Sequence, residues 1–312
     1  MKTEPAKRNA GHVRVHSILY GNEPARIAQT VAHLNRAADL AIASGAVASV
    51  SLAYGDCSPA PCLSPEFIEQ IREKSPALAA IDYVYFDGNF GSAKGHNTLI
   101  AKADGSEVDA PDFVLIMNPD VMLAPDALVE LARPFENRHV GMVEARQLPI
   151  EHPKEYNRVT GETGWATTAC AMIPMPVIRK LRGFDHETFF LYCDDVDFSW
   201  RARLADYQVI YQPSAVVFHD KRLGAQGQWA PTSSEQYYSA EASLLMAYKY
   251  SRTDIAEKLL KMFSTSEVPH LRRAAQEFRR RKEEGCLPEQ IDSKGDVAEF
   301  VDDFYTKHRY SL

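Results

Sequence analysis

Along the first 120 residues, short apolar runs alternate with series of apolar positions at helical spacing, the order that builds a mostly parallel sheet covered by helices. Val13–Leu19 predicts a first strand. Gly21-Asn22-Glu23-Pro24 breaks it, and Ile27, Val31 and Leu34 then recur on one helical face. Val47–Ala53 predicts a second strand, Tyr54–Pro65 a turn-rich loop, and Phe67, Ile68 and Ile71 a helix that stops at Ser75-Pro76. Tyr83–Phe86 predicts the third strand, and Asp87–Asn97 a Gly-rich loop leading into a helix around Thr98–Ala103. Phe113–Met117 is the near-continuous apolar run of a buried central strand. Asn118-Pro119-Asp120 ends it, at the carboxyl edge where open α/β sheets hold ligands.

The pattern loosens after a strand at Val140–Glu144, and Arg146–Gly164 reads as a long loop or short hairpin. From Trp165 onward it predicts a strand at Ala169–Ile173, helices at Pro176–Leu181 and Asp194–Leu204, and two short strands at Val209–Tyr211 and Ala215–Phe218. The last part, 235–312, predicts helices at Ser239–Tyr250, Asp254–Phe263 and Leu271–Glu284. The fold class is therefore α/β, a central mostly parallel sheet followed by a C-terminal helical region.

Composition narrows the picture. With 45% hydrophobic and 25% charged residues in 312, the chain is globular. It holds no apolar run of the roughly 18 residues needed to span a bilayer. Residues 1–12 form a polar tail without a signal-like apolar centre, so the expected compartment is the cytoplasm. Five scattered cysteines, Cys57, Cys62, Cys170, Cys193 and Cys286, suit free thiols rather than a disulfide framework or zinc site. Thirty-five Lys and Arg against 42 Asp and Glu give a net charge of −7, which argues against a nucleic-acid partner. Near the C-terminus, Leu271, Ala275 and Phe278 form an apolar stripe flanked by Arg272, Arg273, Arg279, Arg280, Arg281 and Lys282. Packing on its own domain is the first reading of this stripe, and docking at the inner membrane face is the second.

Candidate chemistry lies in four segments, each with a plain structural alternative. Asn118-Pro119-Asp120 puts a carboxylate at a strand end, but is also an ordinary turn sequence. Asp194, Asp195 and Asp197 crowd three acids into four positions, which raises pKa values as a general base requires; equally, acids at a helix start complement its dipole. His219 closes an apolar run as a metal ligand or as a structural imidazole, and Asp220, Lys221 and Arg222 follow it. Asn89–Asn97 has the composition of a phosphate cradle, yet carries neither G-x-x-x-x-G-K-[ST] nor G-x-G-x-x-G.

Taken in order, these segments resemble the inverting glycosyltransferases of family 2, in particular its bacterial rhamnosyltransferase-like and galactofuranosyltransferase-like branch. The resemblance spans roughly 13–250. It rests on Asn89–Asn97 (N-x-G-x-x-x-G-x-N), on Phe113–Asp120, and on Gly183-Phe184-Asp185 through Phe189-Phe190-Leu191-Tyr192, the acids, Trp200-Arg201, Tyr211-x-Pro213 and His219. It implies the nucleotide-sugar-binding GT-A fold over 13–234, with a donor half (13–120) and an acceptor and catalytic half (121–234), followed by the helical region 235–312. It also implies that Asp120 and His219 bind a divalent cation, Mg²⁺ or Mn²⁺, and that Asp195 is the base, supported by Asp194. Tyr20, Glu23, Asp56, Asn89, Gly91, Asn97 and Asn118 would line the donor site with Asp120. Trp165 and Asp197 would meet the acceptor.

Three positions depart from the family pattern: Asn118 for the first acid of D-x-D, Asp56-Cys57-Ser58 for Asp-Asn-x-Ser, and Cys193-Asp194-Asp195 for x-Glu-Asp. The implied reaction moves a hexosyl or deoxyhexosyl unit from a thymidine or uridine diphosphate sugar to a glycan or lipid-linked glycan in bacterial surface polysaccharide assembly. A homodimer is compatible with the sequence. The competing readings are a sugar-nucleotide-forming nucleotidyltransferase and an inactive glycan- or nucleotide-binding module.

Overall fold

A computed structural model describes residues 11–105, 110–221 and 231–306. Most of the polar tail and Arg222 lie outside the described residues. Strand β1 (His12–Leu19), helix α1 (Pro24–Ala43), β2 (Ser49–Asp56), α2 (Pro65–Glu73), β3 (Ile81–Tyr85), α3 (Gly91–Asp104) and β4 (Phe113–Met117) follow the predicted alternation. The second half runs β5 (Val121–Leu123), α4 (Ala127–Ala132), β6 (Val140–Leu148), β7 (Cys170–Pro174), α5 (Met175–Leu181), α6 (Asp194–Leu204) and β8 (Gln208–His219). Three helices finish the chain, α7 (Ser233–Lys249), α8 (Thr253–Thr265) and α9 (Pro269–Glu283).

The eight strands form one sheet in the order β3-β2-β1-β4-β7-β6-β8-β5. The β3, β2, β1 and β4 ladders are parallel, whereas β7 runs antiparallel to both β4 and β6, and β5 antiparallel to β8. The sheet is thus mixed, with its parallel character concentrated in the first half. In-register pairing brings Leu19 beside Asp56 and ends β4 at the same edge. The chain steps from β1 outward to β3 and then returns to the other side of β1, so the crevice between the β1 and β4 ends is the switch point where such sheets bind ligands.

Two predicted short strands are one. Pro213, which breaks the sequence pattern, sits where the β6–β8 register slips from Ala145↔Gln212 to Arg146↔Val216. A bulge tolerates the missing amide hydrogen and bends the strand. Beyond the bend, β8 pairs with β5 in the register Val121↔His219, which brings the end of β8 beside the Asn118-Pro119-Asp120 turn.

One apolar core packs α1, α2 and α4 against the sheet, while a second holds Trp165, Phe189, Val196 and Trp200 together with Leu244, Leu259, Ala275 and Phe278 of the C-terminal helices. The α9 stripe is spent there: Ala274, Ala275 and Phe278 are buried, Arg281 pairs with Glu241 and Glu277, and the Arg273 guanidinium lies 4.1 Å from the Tyr237 ring centroid. That face is not available to a membrane. Among the described residues no helix is long and apolar enough to cross one.

Candidate active site

The carboxyl edge of the sheet opens into a cleft of about 380 Å³, lined among others by Ser92, Asn118, Asp120, Thr168, Tyr192, Asp194, Asp195 and His219. The turn after β4 is held by Asn118 N–H donating to the Ala169 carbonyl (2.9 Å) and by Thr30 Oγ1 donating to the Pro119 carbonyl (3.0 Å). Asp220 N–H donates to the Asp120 carbonyl (3.0 Å), so Asp120 and His219 sit side by side with Oδ1 and Nε2 3.3 Å apart. His219 is buried and Asp120 is open to the cleft.

Among the described residues no three His, Cys, Asp or Glu side chains gather as a metal cluster. A two-residue site still fits a hard divalent cation, because Mg²⁺ and its relatives usually keep several waters and take substrate phosphates alongside one or two carboxylates. The donor set supports this. His219 Nδ1 lies 2.8 Å from the Gln147 carboxamide oxygen, so with its proton there the Nε2 lone pair faces the Asp120 carboxylate. Two lone pairs pointed at each other are relieved by a shared cation.

On the opposite wall α6 delivers the acids. Tyr192 and Cys193 both take left-handed backbone (φ 66° and 60°), which turns the chain sharply out of the Phe189–Leu191 stretch and starts the helix at Asp194. Asp194 is buried, with Oδ2 lacking a hydrogen-bond partner, and burial and the charge of Asp195 together push its carboxyl up to about 7. Asp195 is half-buried, receives Val196 N–H (2.8 Å) and borders the cleft beside Thr168.

Several predicted site residues do other work. Asp56 is fully buried: Oδ1 accepts from Ser58 N–H and Oδ2 from Cys62 N–H (2.8 Å each), and the Tyr83 hydroxyl donates to Oδ2 as well. Burial opposes its charge, but the bonds from Ser58, Tyr83 and Cys62 outweigh it and hold the carboxyl below the usual range. Asp56 therefore shapes the loop after β2 instead of presenting itself to a base. Asn97 clamps the Gly183-Phe184-Asp185 turn, accepting Phe184 N–H (2.9 Å) and donating to the Phe184 carbonyl (2.8 Å). A Cβ on Gly91 would lie 2.3 Å from the Phe190 carbonyl oxygen, and Asn89 Oδ1 accepts Gly91 N–H. Asn89, Gly91 and Asn97 thus brace the loop that precedes the acids, and Ser92 is the member of the motif that reaches the cleft.

Asp197 faces away from the cleft. It is fully buried, paired with Arg201 (2.7 Å) and Lys249 (2.5 Å) and bonded by the Tyr250 hydroxyl (3.0 Å), so it does not contact an acceptor. Trp165 is 7% exposed, with Lys154 Nζ 4.1 Å from its ring centroid and Tyr305 packed edge-on, which leaves no open platform. Tyr20 and Glu23 lie exposed on the loop after β1, at the rim of the switch-point crevice. The sequence reading named Lys221 beside His219 but missed Gln147, the Thr167-Thr168-Ala169 segment, His152 and Glu235, which also line or support the cleft. Of these only Glu235 carried a signal, the Thr232–Glu235 capping box that opens α7.

No protein-family model matches the chain. Over 174 residues it is 28% identical to the N-acetylglucosaminyl-diphospho-decaprenol L-rhamnosyltransferase of Mycobacterium tuberculosis, an alignment covering 43% of this chain and 56% of that protein. The chain thus spans little more than half the length of this relative. In structure it resembles GalNAc-T7 solved with UDP, GalNAc and Mn²⁺ (TM-score 0.62, 11% identity, 92% of this chain and 56% of that one). It also resembles the mannosyltransferase PcManGT of Pyrobaculum calidifontis solved with GDP-Man and Mn²⁺ (TM-score 0.51, 16% identity, 88% and 81%). The fold is the GT-A fold, and in sequence the chain is similar to a rhamnosyltransferase.

Proposed function

We propose that this GT-A chain is an inverting, metal-dependent glycosyltransferase. It moves a sugar, with rhamnose favoured over galactofuranose by the name of its mycobacterial relative, from a thymidine or uridine diphosphate donor to a glycan or lipid-linked glycan. The observation that carries this reading is the convergence in one cleft of the Asp120–His219 pair and the acids of α6. Surface polysaccharide assembly is the setting that such an acceptor implies.

A divalent cation held by Asp120 and His219 would offset the charge of the departing diphosphate, as Mn²⁺ bound in the structural neighbours suggests. The remaining work falls to the chain. Ionised Asp195 removes the proton from the attacking acceptor hydroxyl, and a single displacement needs one such base. Asp194, its carboxyl pushed up to about 7 by burial and by the charge of Asp195, holds its proton below neutrality and so spares the site a second charge beside Asp195. Lys221, with Nζ 3.5 Å from His152 Nε2, adds positive charge at the mouth of the cleft. The loop braced by Asp56 is the surface a pyrimidine would meet.

The test is a panel of thymidine, uridine and guanosine diphosphate sugars assayed for release of the nucleoside diphosphate in the presence of a pyrophosphoryl-lipid N-acetylglucosamine acceptor. Release from thymidine or uridine donors is expected. Turnover confined to guanosine donors would overturn the donor assignment.

A further inference from the structure

Gln147 belongs to no motif, yet it is 1% exposed and spends its whole carboxamide on the site. It lies on β6 opposite Val217 of β8, two residues before His219 and on the same face of the parallel pair, so the two side chains meet within the sheet. Its Oε1 is 2.8 Å from His219 Nδ1, and its Nε2 donates to Thr167 Oγ1 at 2.9 Å. Thr167 Oγ1 also receives Ala169 N–H (3.4 Å), which ties this hydroxyl to the turn that lines the cleft. The backbone of Gln147 is pinned as well, its N–H donating to Glu151 Oε2 (2.8 Å).

We propose that Gln147 is a positioning residue that sets the His219 tautomer. Resting on the metal reading above, the inference is that Oε1 keeps the imidazole proton on Nδ1 and leaves the Nε2 lone pair directed at Asp120, ready for a divalent cation. A neutral amide does this without adding a second carboxylate beneath the pair. The wider chain is Thr167 to Gln147 to His219 to the cation, and such supporting partners typically change metal affinity about 10–100-fold when removed.

The test uses the whole protein in two arms. Long-range ¹H–¹⁵N correlation on metal-free protein, with the His219 signals identified by their loss in His219→Gln, reads the tautomer directly. Mn²⁺ titration followed by electron paramagnetic resonance, with UDP present, reads affinity. We expect the Nδ1–H form in the wild type, a shift toward Nε2–H in Gln147→Leu, and a fall of about 10–100-fold in Mn²⁺ affinity. Gln147→Glu, which retains an acceptor at the same place, should keep the Nδ1–H form even if Gln147→Leu folds poorly. An Nε2–H tautomer in the wild type, or equal Mn²⁺ affinity in wild type and Gln147→Leu, would overturn the role of Gln147. Failure of the wild type to bind Mn²⁺ at all would instead overturn the metal reading on which it rests.

Discussion

Asp194 and Asp195 are neighbours in sequence but not in environment. Asp195, half-buried at the cleft, is the assigned base, so Asp195→Asn should lower kcat by about 10²–10⁴ with donor KM nearly unchanged. A near-normal kcat, together with an inactive Asp194→Asn, would transfer the role to Asp194. The Asp194 carboxyl is raised from 3.8 to about 7, so between those values the folded state holds a proton that the unfolded chain has released. Stability therefore falls as pH rises through this window and levels off above it. Asp194→Asn cannot ionise, and relative to wild type it should gain on the order of 3 kcal/mol between pH 4 and pH 8, seen as diverging Tm curves. Parallel curves would contradict the assignment. The acids, Asp120 and His219 were legible because residue type and strand ends coincide. The burial and partners of Asp56, Asn97, Asp197 and Trp165 were not legible because sequence does not show which way a side chain turns. For Asn97 and Asp197 the deciding partners, Phe184 and Lys249, are also distant in sequence, about 50 to 90 residues away.

Among the elements, α6 owes its placement to what lies behind it. Lys249 of α7, 7% exposed at its side chain, bridges Asp197 on α6 and Asp185 of the Gly-Phe-Asp turn (2.5 and 2.6 Å). Removing one partner of a buried pair leaves an uncompensated charge. Lys249→Met should therefore cost about 3 kcal/mol in urea unfolding, softened by the Arg201 that still faces Asp197. A change under about 0.5 kcal/mol would show that the bridge is dispensable. The parallel strands and α1 were legible from periodicity, since strands covered on both faces must be apolar throughout. Strand β5 has three residues, too few to show a period, and β8 was split because Pro213 looks like a terminus where the fold makes it a bulge. Helix α3 begins at Gly91 rather than near Thr98, the Gly-rich composition having masked its first two turns.

At the scale of the whole molecule, the C-terminal helices and the α6 side of the sheet share one core, through Trp200 packed edge-on to Tyr250 and Phe300. The basic stripe of α9 left docking open as a second reading beside packing on its own domain, because sequence shows amphipathicity without showing what covers it. The bulged β8 and the β4 turn meet only through the complete sheet, so the Asp120–His219 pair is a property of the fold and not of either segment. The central claim is that this pair makes the cleft a metal-dependent sugar-transfer site. Its most direct test is nucleoside diphosphate release from a thymidine or uridine diphosphate sugar by wild type and Asp120→Ala, each with excess Mn²⁺ or chelator. Turnover by the wild type in Mn²⁺ alone, and none by the variant in either, is the predicted result. Undiminished turnover by Asp120→Ala in chelator would contradict it.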